Sequence, residues 1–152
     1  MTEQYVSDEE YQSYFERLNG LRRTILSDLP VEPGMKILDL ATGYGFFAIE
    51  LAQLESSLKI VGIDICEDDV LYARKNVDGR GLADLIEVVE MDATDMGFLD
   101  ESFNAVANFL GLEDIHMTRG RSGVQKTFLE VNRVLKPDGR YCFVVMPPEE
   151  ME

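Results

Sequence analysis

The sequence predicts an α/β protein built on a doubly wound, mostly parallel β-sheet. Three observations lead to this prediction. Five short apolar runs are typical of strands, segments of helical periodicity separate most of them, and a glycine-rich turn directly follows the first run. Strands that alternate with helices form parallel sheets covered on both faces. We therefore expect a ligand site at the carboxyl ends of the strands.

The first 34 residues predict a helical segment that packs on a sheet domain formed by residues 35–152, in one domain overall. Ser7-x-x-Glu10 has the form of a capping box, and apolar residues at helical spacing follow it. Gly20 is expected to end or interrupt this helix before an amphipathic pattern continues towards the first strand.

The five apolar runs give the predicted strands their bounds. In chain order these are Lys36–Leu40, Lys59–Asp64, Leu85–Asp92, Phe103–Leu110 and Tyr141–Met146. One helix is expected after the glycine turn and a second one after the second strand. Ser122-x-x-Gln125 predicts the start of a helix that leads into the fifth strand.

Composition limits the partners of this chain. The 29 acidic and 14 basic residues give a net charge of −15, which repels phosphate backbones and disfavours nucleic acid substrates. No apolar run approaches the ~20 residues of a membrane span, so we expect no membrane insertion. The acidic, polar N-terminus does not resemble a signal peptide, and a cytoplasmic location is expected.

Cysteine and histidine are too few to suggest a metal site. Cys66 and Cys142 have no metal-binding spacing, and Cys142, within an apolar strand, is expected to be a buried free thiol. His116 is the single histidine, and we expect it in an exposed loop, with a role as a base as the alternative. Arg119 and Arg121 are interpreted as solvated charges of the same loop, with binding of an acidic substrate as the alternative.

The glycine turn fits two kinds of nucleotide-like ligand. Gly43, Gly45 and Ala48 form G-x-G-x-x-A, and Asp64 lies 21 residues after Gly43, as in dinucleotide-binding proteins. S-adenosylmethionine requires an equally close backbone approach. Asp39, at the end of the first strand, favours S-adenosylmethionine, because a carboxylate repels a pyrophosphate and attracts an ammonium or sulfonium group.

The next strand ends carry residues suited to the same molecule. Asp64 is able to accept hydrogen bonds from both ribose hydroxyls, and Ile65 offers an apolar face to adenine. Asp92 is able to accept from the adenine amino group, with the backbone of Ala93 beside it. Three acids at consecutive strand ends are more specific than the glycine turn alone, although Asp64 and Asp92 also suit helix caps.

These stretches resemble the class I S-adenosylmethionine-dependent methyltransferases. The matching sequences are ILDLATGYG, IVGIDICEDDVLYARKN, VVEMDATDMGFLDESFNAV and EVNRVLKPDGRYCFVV, which span most of the chain. The resemblance implies a Rossmann-like sheet of order 3-2-1-4-5. It also implies a small-molecule acceptor, with enzymes of quinone biosynthesis in the most similar branch. In the family an antiparallel hairpin of strands 6 and 7 usually follows, and this sequence lacks it.

The resemblance also implies a set of cofactor-binding residues. Asn108 and Phe109 fall where the fourth strand ends beside the methionine half, although Asn108 equally suits the capping of a turn. Tyr14 lies on a helix that closes over the cofactor in related enzymes, with simple packing as its alternative. The full set is Asp39, Ala41, Gly43, Tyr44, Gly45, Asp64, Ile65, Asp92, Ala93, Asn108, Phe109 and Tyr14. The sequence identifies no catalytic base and no metal ligand.

The fifth strand is expected to form an exposed apolar edge. Such an edge pairs readily with another chain, so we predict a homodimer through it or a sequence cut from a longer protein. The predicted function is methyl transfer to a small molecule. Two alternatives stay open: a cofactor-binding module that needs a partner for activity, and a nicotinamide-dependent oxidoreductase.

Overall fold

The computed structural model describes residues 9, 13 and 16–145, and within them an α/β arrangement. The helices are α1 (Asn19–Asp28), α2 (Phe46–Leu54), α3 (Glu67–Gly79) and α4 (Leu112–Val134). The strands are β1 (Lys36–Leu40), β2 (Lys59–Asp64), β3 (Ile86–Glu90), β4 (Phe103–Phe109) and β5 (Leu135–Val144). In this part of the chain no helix is long and apolar enough to cross a lipid bilayer.

The five strands form one parallel sheet of order β3-β2-β1-β4-β5. This confirms the predicted fold class and strand order. Successive side chains of a strand point to opposite faces of the sheet. The side chains of β1 therefore contribute to a hydrophobic core on each face. Ile37 packs in a core with α1, α2 and α3, whereas Leu38 and Leu40 pack in a second core with α4.

Helix α1 begins at Asn19 and contains Gly20 as its second residue, so the interruption that separates it from the helical residues 16 and 17 falls at Leu18, two residues before the expected Gly20. Leu26 is buried on the inner side of the helix, and Leu18, Ile25 and Leu29 pack partly buried against the same core. The capping box at Ser7 and Glu10 lies outside the described residues. Helix α1 lies next to the carboxyl end of β1, because its residue Arg22 is close to Asp39.

Helix α4 begins ten residues before the predicted cap at Ser122 and includes the segment expected to be a loop. Gly120, with φ of 68° and ψ of −171°, kinks it, and only glycine adopts this conformation readily. Leu112 and Ile115 are buried, so tertiary packing stabilises a helix whose polar sequence gave a weak periodic signal. His116 and Arg119 are therefore exposed residues of a helix rather than of a loop.

Strand β5 starts at Leu135, six residues earlier than predicted. The turn expected at Lys136–Gly139 lies within the strand as an irregularity in the pairing with β4, and Asp138 has a φ of 66°. Regular pairing resumes at Arg140 and continues to Val144. A tight turn and a strand are compatible here because the extra residues bulge out of the ladder.

Cys142 lies in the regular part of β5. It is free and half-buried, rather than buried as the sequence predicted, because it borders a groove beside the sheet.

Candidate functional site

The carboxyl ends of β1, β2 and β4 lie side by side. Leu40 pairs with Ile63 and Asp39 pairs with both Gly62 and Ala107, which brings Asp39, Asp64 and Asn108 to one edge of the sheet. The backbone N–H of Met91 donates to the Asp64 carbonyl oxygen at 2.9 Å, so β3 ends at the same edge. The topology thus gathers the strand-end residues that the sequence singles out.

The glycine turn is tied to the end of β2 by its backbone. The N–H of Thr42 donates to the Ile63 carbonyl at 2.9 Å, and the N–H of Gly43 donates to Asp64 Oδ2 at 3.0 Å. Gly43 and Gly45 have φ of 55° and 83°, the left-handed region that favours glycine. Ala41 also has a positive φ, 51°, which is uncommon for a residue with a Cβ and is typical of functional sites.

Asp39 is a buried carboxyl group at the centre of the site. It is 1% exposed, and its Oδ2 accepts a hydrogen bond from the Thr42 hydroxyl at 2.6 Å. Burial raises the pKa of Asp39 from 3.8 to about 7, an effect that the bond from Thr42 opposes and the charge of Asp64 reinforces. A buried carboxyl group of this kind is stabilised in its ionised form by a cationic ligand.

Asp64 both shapes the turn and borders the site. Its Oδ2 accepts from Gly43 N and its Oδ1 accepts from Cys66 N, each at 3.0 Å. Burial raises its pKa, against the lowering effect of these backbone hydrogen bonds. Each carboxylate oxygen has a second lone pair that is available to a ligand hydroxyl.

A narrow cleft of about 20 Å³ opens beside Asp39. Of the predicted residues, Asp39, Ala41, Tyr44 and Phe109 line it. The other residues of the lining are not in the predicted set: Arg22, Thr42, Phe46, Phe47, Leu110, Gly111 and Asp114. The cleft therefore lies between the first half of α1, the glycine turn and the first turn of α4.

The predicted adenine-side residues continue along the same edge without lining this cleft. Ile65 is exposed at the end of β2, which leaves an apolar surface next to Asp64. Asp92 is engaged by the protein itself: its Oδ1 accepts from the backbone and hydroxyl of Thr94, and its Oδ2 pairs with Arg119 at 2.8 Å. Burial alone would raise the pKa of Asp92, but these bonds from Thr94 and Arg119 lower it.

Asn108 has the turn-capping role that the sequence analysis left as an alternative to cofactor contact. Its Nδ2 donates to the Leu40 carbonyl at 2.7 Å, and its Oδ1 accepts from the backbone of Gly111 at 3.2 Å. The ring of Phe109 stacks on Phe47 at 5.6 Å. Tyr14, the predicted residue of the N-terminal helix, lies outside the described residues.

Arg22 is the most unexpected residue of the cleft. Its side chain is 1% exposed and binds Glu50 through two hydrogen bonds, Nε to Oε2 at 3.0 Å and Nη2 to Oε1 at 3.2 Å. Its guanidinium lies 5.5 Å from the ring centre of Phe46 and 6.0 Å from that of Phe109. Its position among the apolar residues of α1, four before Leu26, is the signal that indicates burial of this arginine.

The charges around the cleft fit a cationic ligand. Asp69 repels Asp64, and burial followed by this repulsion raises the pKa of Asp69 to about 6. Asp114 also interacts repulsively with Asp64. An ammonium or sulfonium group relieves this repulsion, whereas a pyrophosphate adds to it. The residues present therefore fit S-adenosylmethionine better than a dinucleotide.

These carboxyl groups predict a pH dependence of stability and of binding. The folded protein retains a proton on Asp39 up to a pH of about 7, whereas the unfolded chain loses it near 3.8. The contribution of Asp39 to the free energy of unfolding is thus fully present below pH 3.8 and is lost as the pH rises through about 7. We expect urea unfolding of the ligand-free protein to show this decrease.

Binding of a cation is expected to follow the opposite trend, because it requires the ionised carboxylates. The affinity for S-adenosylmethionine should increase as the pH rises through the pKa of Asp39. Calorimetric titration in buffers of equal ionic strength measures this effect. An affinity that is constant over the same range would contradict the charged contact.

Gly111 lines the cleft at a position where the structure leaves no room for a side chain. A Cβ at this position would lie 2.5 Å from Cβ of Ala41 and 2.6 Å from Nδ2 of Asn108. We expect Gly111→Ala to lower the free energy of unfolding by about 1–3 kcal/mol and to weaken ligand binding. Gly97→Ala is the control, since its Cβ would meet only Met91 Cε at 3.8 Å.

Comparison with known proteins assigns this chain to a protein family. Residues 38–143 match the family model described as a methyltransferase domain. A demethylmenaquinone methyltransferase of Thermus thermophilus is 34% identical over 132 residues, which cover 86% of this chain and 56% of that protein. The chain spans about half the length of the first curated relatives that it matches.

Solved structures agree with the fold. A Haloferax volcanii protein solved in complex with the Trm112 methyltransferase activator has a TM-score of 0.76 and 26% identity, covering 89% of this chain and 56% of its own. The PH0226 protein of Pyrococcus horikoshii has a TM-score of 0.73 and 29% identity, covering 90% of this chain and 61% of its own. The chain belongs to the methyltransferase domain family, and its cofactor is S-adenosylmethionine.

Proposed function

We propose that this chain transfers a methyl group from S-adenosylmethionine to a small aromatic acceptor of the quinone class. The observation that carries the proposal is the buried carboxyl group of Asp39, which lines a cleft at the carboxyl edge of the sheet. The acceptor class follows from the relatives, several of which are named demethylmenaquinone methyltransferases.

S-adenosylmethionine supplies a methyl group that is already activated by a positively charged sulfur. The residues of this chain then have to bind and orient it. Asp39, fixed by Thr42, is proposed to hold the cationic amino acid end. Asp64 is proposed to accept the ribose hydroxyls while it holds the turn through Gly43 and Cys66.

The remaining predicted residues are proposed to surround the adenine and the methionine chain. Ile65 offers its exposed side chain, and Ala93 its backbone, on the adenine side. Asp92 is able to accept from the adenine amino group only if Arg119 shares or leaves the carboxylate, because the two are paired. Gly43, Gly45, Ala41 and Tyr44 provide close backbone contacts, and Phe109 provides an apolar wall.

The test is a transfer assay with methyl-labelled S-adenosylmethionine and a water-soluble naphthohydroquinone that has an unsubstituted ring carbon. Mass spectrometry should detect the labelled ring product together with an equal amount of S-adenosylhomocysteine. A reaction without acceptor is the control for hydrolysis. Absence of S-adenosylmethionine binding would contradict the whole proposal, and tight binding of NADH in its place would favour an oxidoreductase.

A second candidate function is a cofactor-binding module that is active only with a partner. One observation favours it: a protein with a similar fold was solved in complex with a methyltransferase activator. Binding of S-adenosylmethionine without transfer to a panel of quinols and phenols, followed by transfer once a partner is added, would support it.

A further inference from the structure

Both oxygens of the Asp92 carboxylate are already engaged in the structure. Oδ1 accepts from the backbone N–H of Thr94 at 2.9 Å and from the Thr94 hydroxyl at 2.7 Å, and these two bonds use both of its lone pairs. Oδ2 accepts from Nη2 of Arg119 at 2.8 Å, which leaves this oxygen one lone pair. A ligand that donates to Asp92 therefore has to share Oδ2 with Arg119 or replace it there.

The loop between β3 and β4, which begins with this carboxylate, is held in place by the second half of α4. Glu130 Oε2 accepts from the backbone N–H of Met96 at 2.6 Å. Arg133 donates five hydrogen bonds of 2.7–2.9 Å, two of them to Glu130 and the others to Asp100 and to the carbonyls of Met96 and Phe98. The five N–H groups of a guanidinium are all used, so this end of the loop has a fixed position.

Arg119 belongs to the first half of α4 and lies directly before the kink at Gly120. In a regular helix the Cβ atoms of residues four apart are about 5–6 Å from each other. Here a Cβ on Gly123 would collide with Cβ of Arg119, and it would lie 3.8 Å from Cγ2 of Thr94 in the loop. The kink thus brings Arg119 onto the second half of the helix and beside the loop, where the missing side chain of Gly123 leaves room for it.

We propose that Arg119 competes with the 6-amino group of the adenine ring for Oδ2 of Asp92, and so determines how strongly the site selects for that amino group. This competition rests on the adenine contact proposed above for Asp92. In the ligand-free protein Arg119 covers the adenine side of the site. When the cofactor binds, its amino group donates to Asp92, and the guanidinium turns into water.

Replacement is favoured over sharing by charge and by mobility. A guanidinium on Oδ2 neutralises the charge that would strengthen the hydrogen bond from a neutral amino group. The side chain of Arg119 is 47% exposed, so it is able to leave while the loop and the second half of α4 stay in place. Because Asp92 is also 30% exposed, the ion pair is weak, and the exchange is expected to cost no more than about five-fold in affinity.

Calorimetric titration with S-adenosylhomocysteine tests the role of the arginine. Arg119→Met should bind this ligand about two- to five-fold more tightly than wild type, because no ion pair has to be broken. Arg119→Lys retains a cation beside Asp92 and should return the affinity towards that of wild type. Arg121→Met, at an exposed residue of the same helix, removes the same charge and should leave the affinity unchanged.

A second ligand tests the role of the amino group. The probe is the analogue of S-adenosylhomocysteine in which hydrogen replaces the 6-amino group. This analogue has no donor to exchange for the arginine, so Arg119→Met should bind it as tightly as wild type does. The change in the affinity ratio of the two ligands, from wild type to Arg119→Met, isolates the coupling between the arginine and the amino group.

Three results would overturn the competition. The first is an Arg119→Met variant that binds S-adenosylhomocysteine no more tightly than wild type. The second is an equal gain for the analogue or in Arg121→Met, which indicates an effect of net charge. The third needs no variant: a crystal structure of wild type with S-adenosylhomocysteine in which Arg119 still donates to Asp92 and the amino group bonds elsewhere. If wild type itself fails to bind S-adenosylhomocysteine, the proposed function is contradicted instead.

Discussion

Replacement of Arg22 by methionine is expected to lower the free energy of unfolding by about 3–5 kcal/mol. Arg22 is 1% exposed and forms two hydrogen bonds with Glu50, whose side chain is 13% exposed. Loss of the guanidinium leaves the Glu50 carboxylate buried without its partner, and the contacts with Phe46 and Phe109 are lost as well. Urea unfolding measures the change.

Two matched variants separate the ion pair from general effects on α1. Arg23 is the exposed neighbour of Arg22, so Arg23→Met should change the free energy of unfolding by less than about 0.5 kcal/mol. The double variant Arg22→Met with Glu50→Leu removes the uncompensated charge and should recover most of the loss. A single Arg22→Met variant as stable as wild type would show that the pair contributes nothing.

Asp64→Asn is expected to weaken S-adenosylhomocysteine binding by roughly 100-fold, equivalent to about 2.7 kcal/mol. The amide has one acceptor oxygen in place of two, while two backbone donors, Gly43 N and Cys66 N, already use the carboxylate. The variant thus loses charge-assisted bonds to the ribose and loosens the glycine turn at the same time. Calorimetric titration gives the affinity.

The control for this variant is Asp84→Asn, at an exposed carboxylate of the loop before β3. It carries the same chemical change and should bind as wild type does. Thermal unfolding of both variants distinguishes a damaged site from a damaged fold. If Asp64→Asn retained wild-type affinity, the ribose contact proposed for this residue would be wrong.

The strands and the fold class could be predicted because they depend on local patterns of apolar and polar residues. Strands β1 and β2 have the predicted bounds, since each is a short apolar run that ends at a turn or at an acid. The order of the strands came from the family resemblance rather than from any pattern in a single strand. Asp39 and Asp64 were predictable as neighbours because parallel strands end at one edge.

The rest of the site depends on contacts between residues far apart in sequence. The burial of Arg22 is set by Glu50, 28 residues away, and the engagement of Asp92 is set by Arg119, 27 residues away. The first part of α4 was missed because it is stabilised by buried Leu112 and Ile115 rather than by a strong periodic pattern. Such pairings arise only when the sheet and its helices are assembled.

A crystal structure with S-adenosylhomocysteine tests the central claim most directly, namely that the ends of β1 and β2 form one cradle for an adenosyl ligand. We predict the amino acid end beside Asp39 and the ribose hydroxyls on the carboxylate of Asp64. A ligand bound elsewhere on the protein, or an adenosyl group that contacts neither carboxylate, would contradict the account.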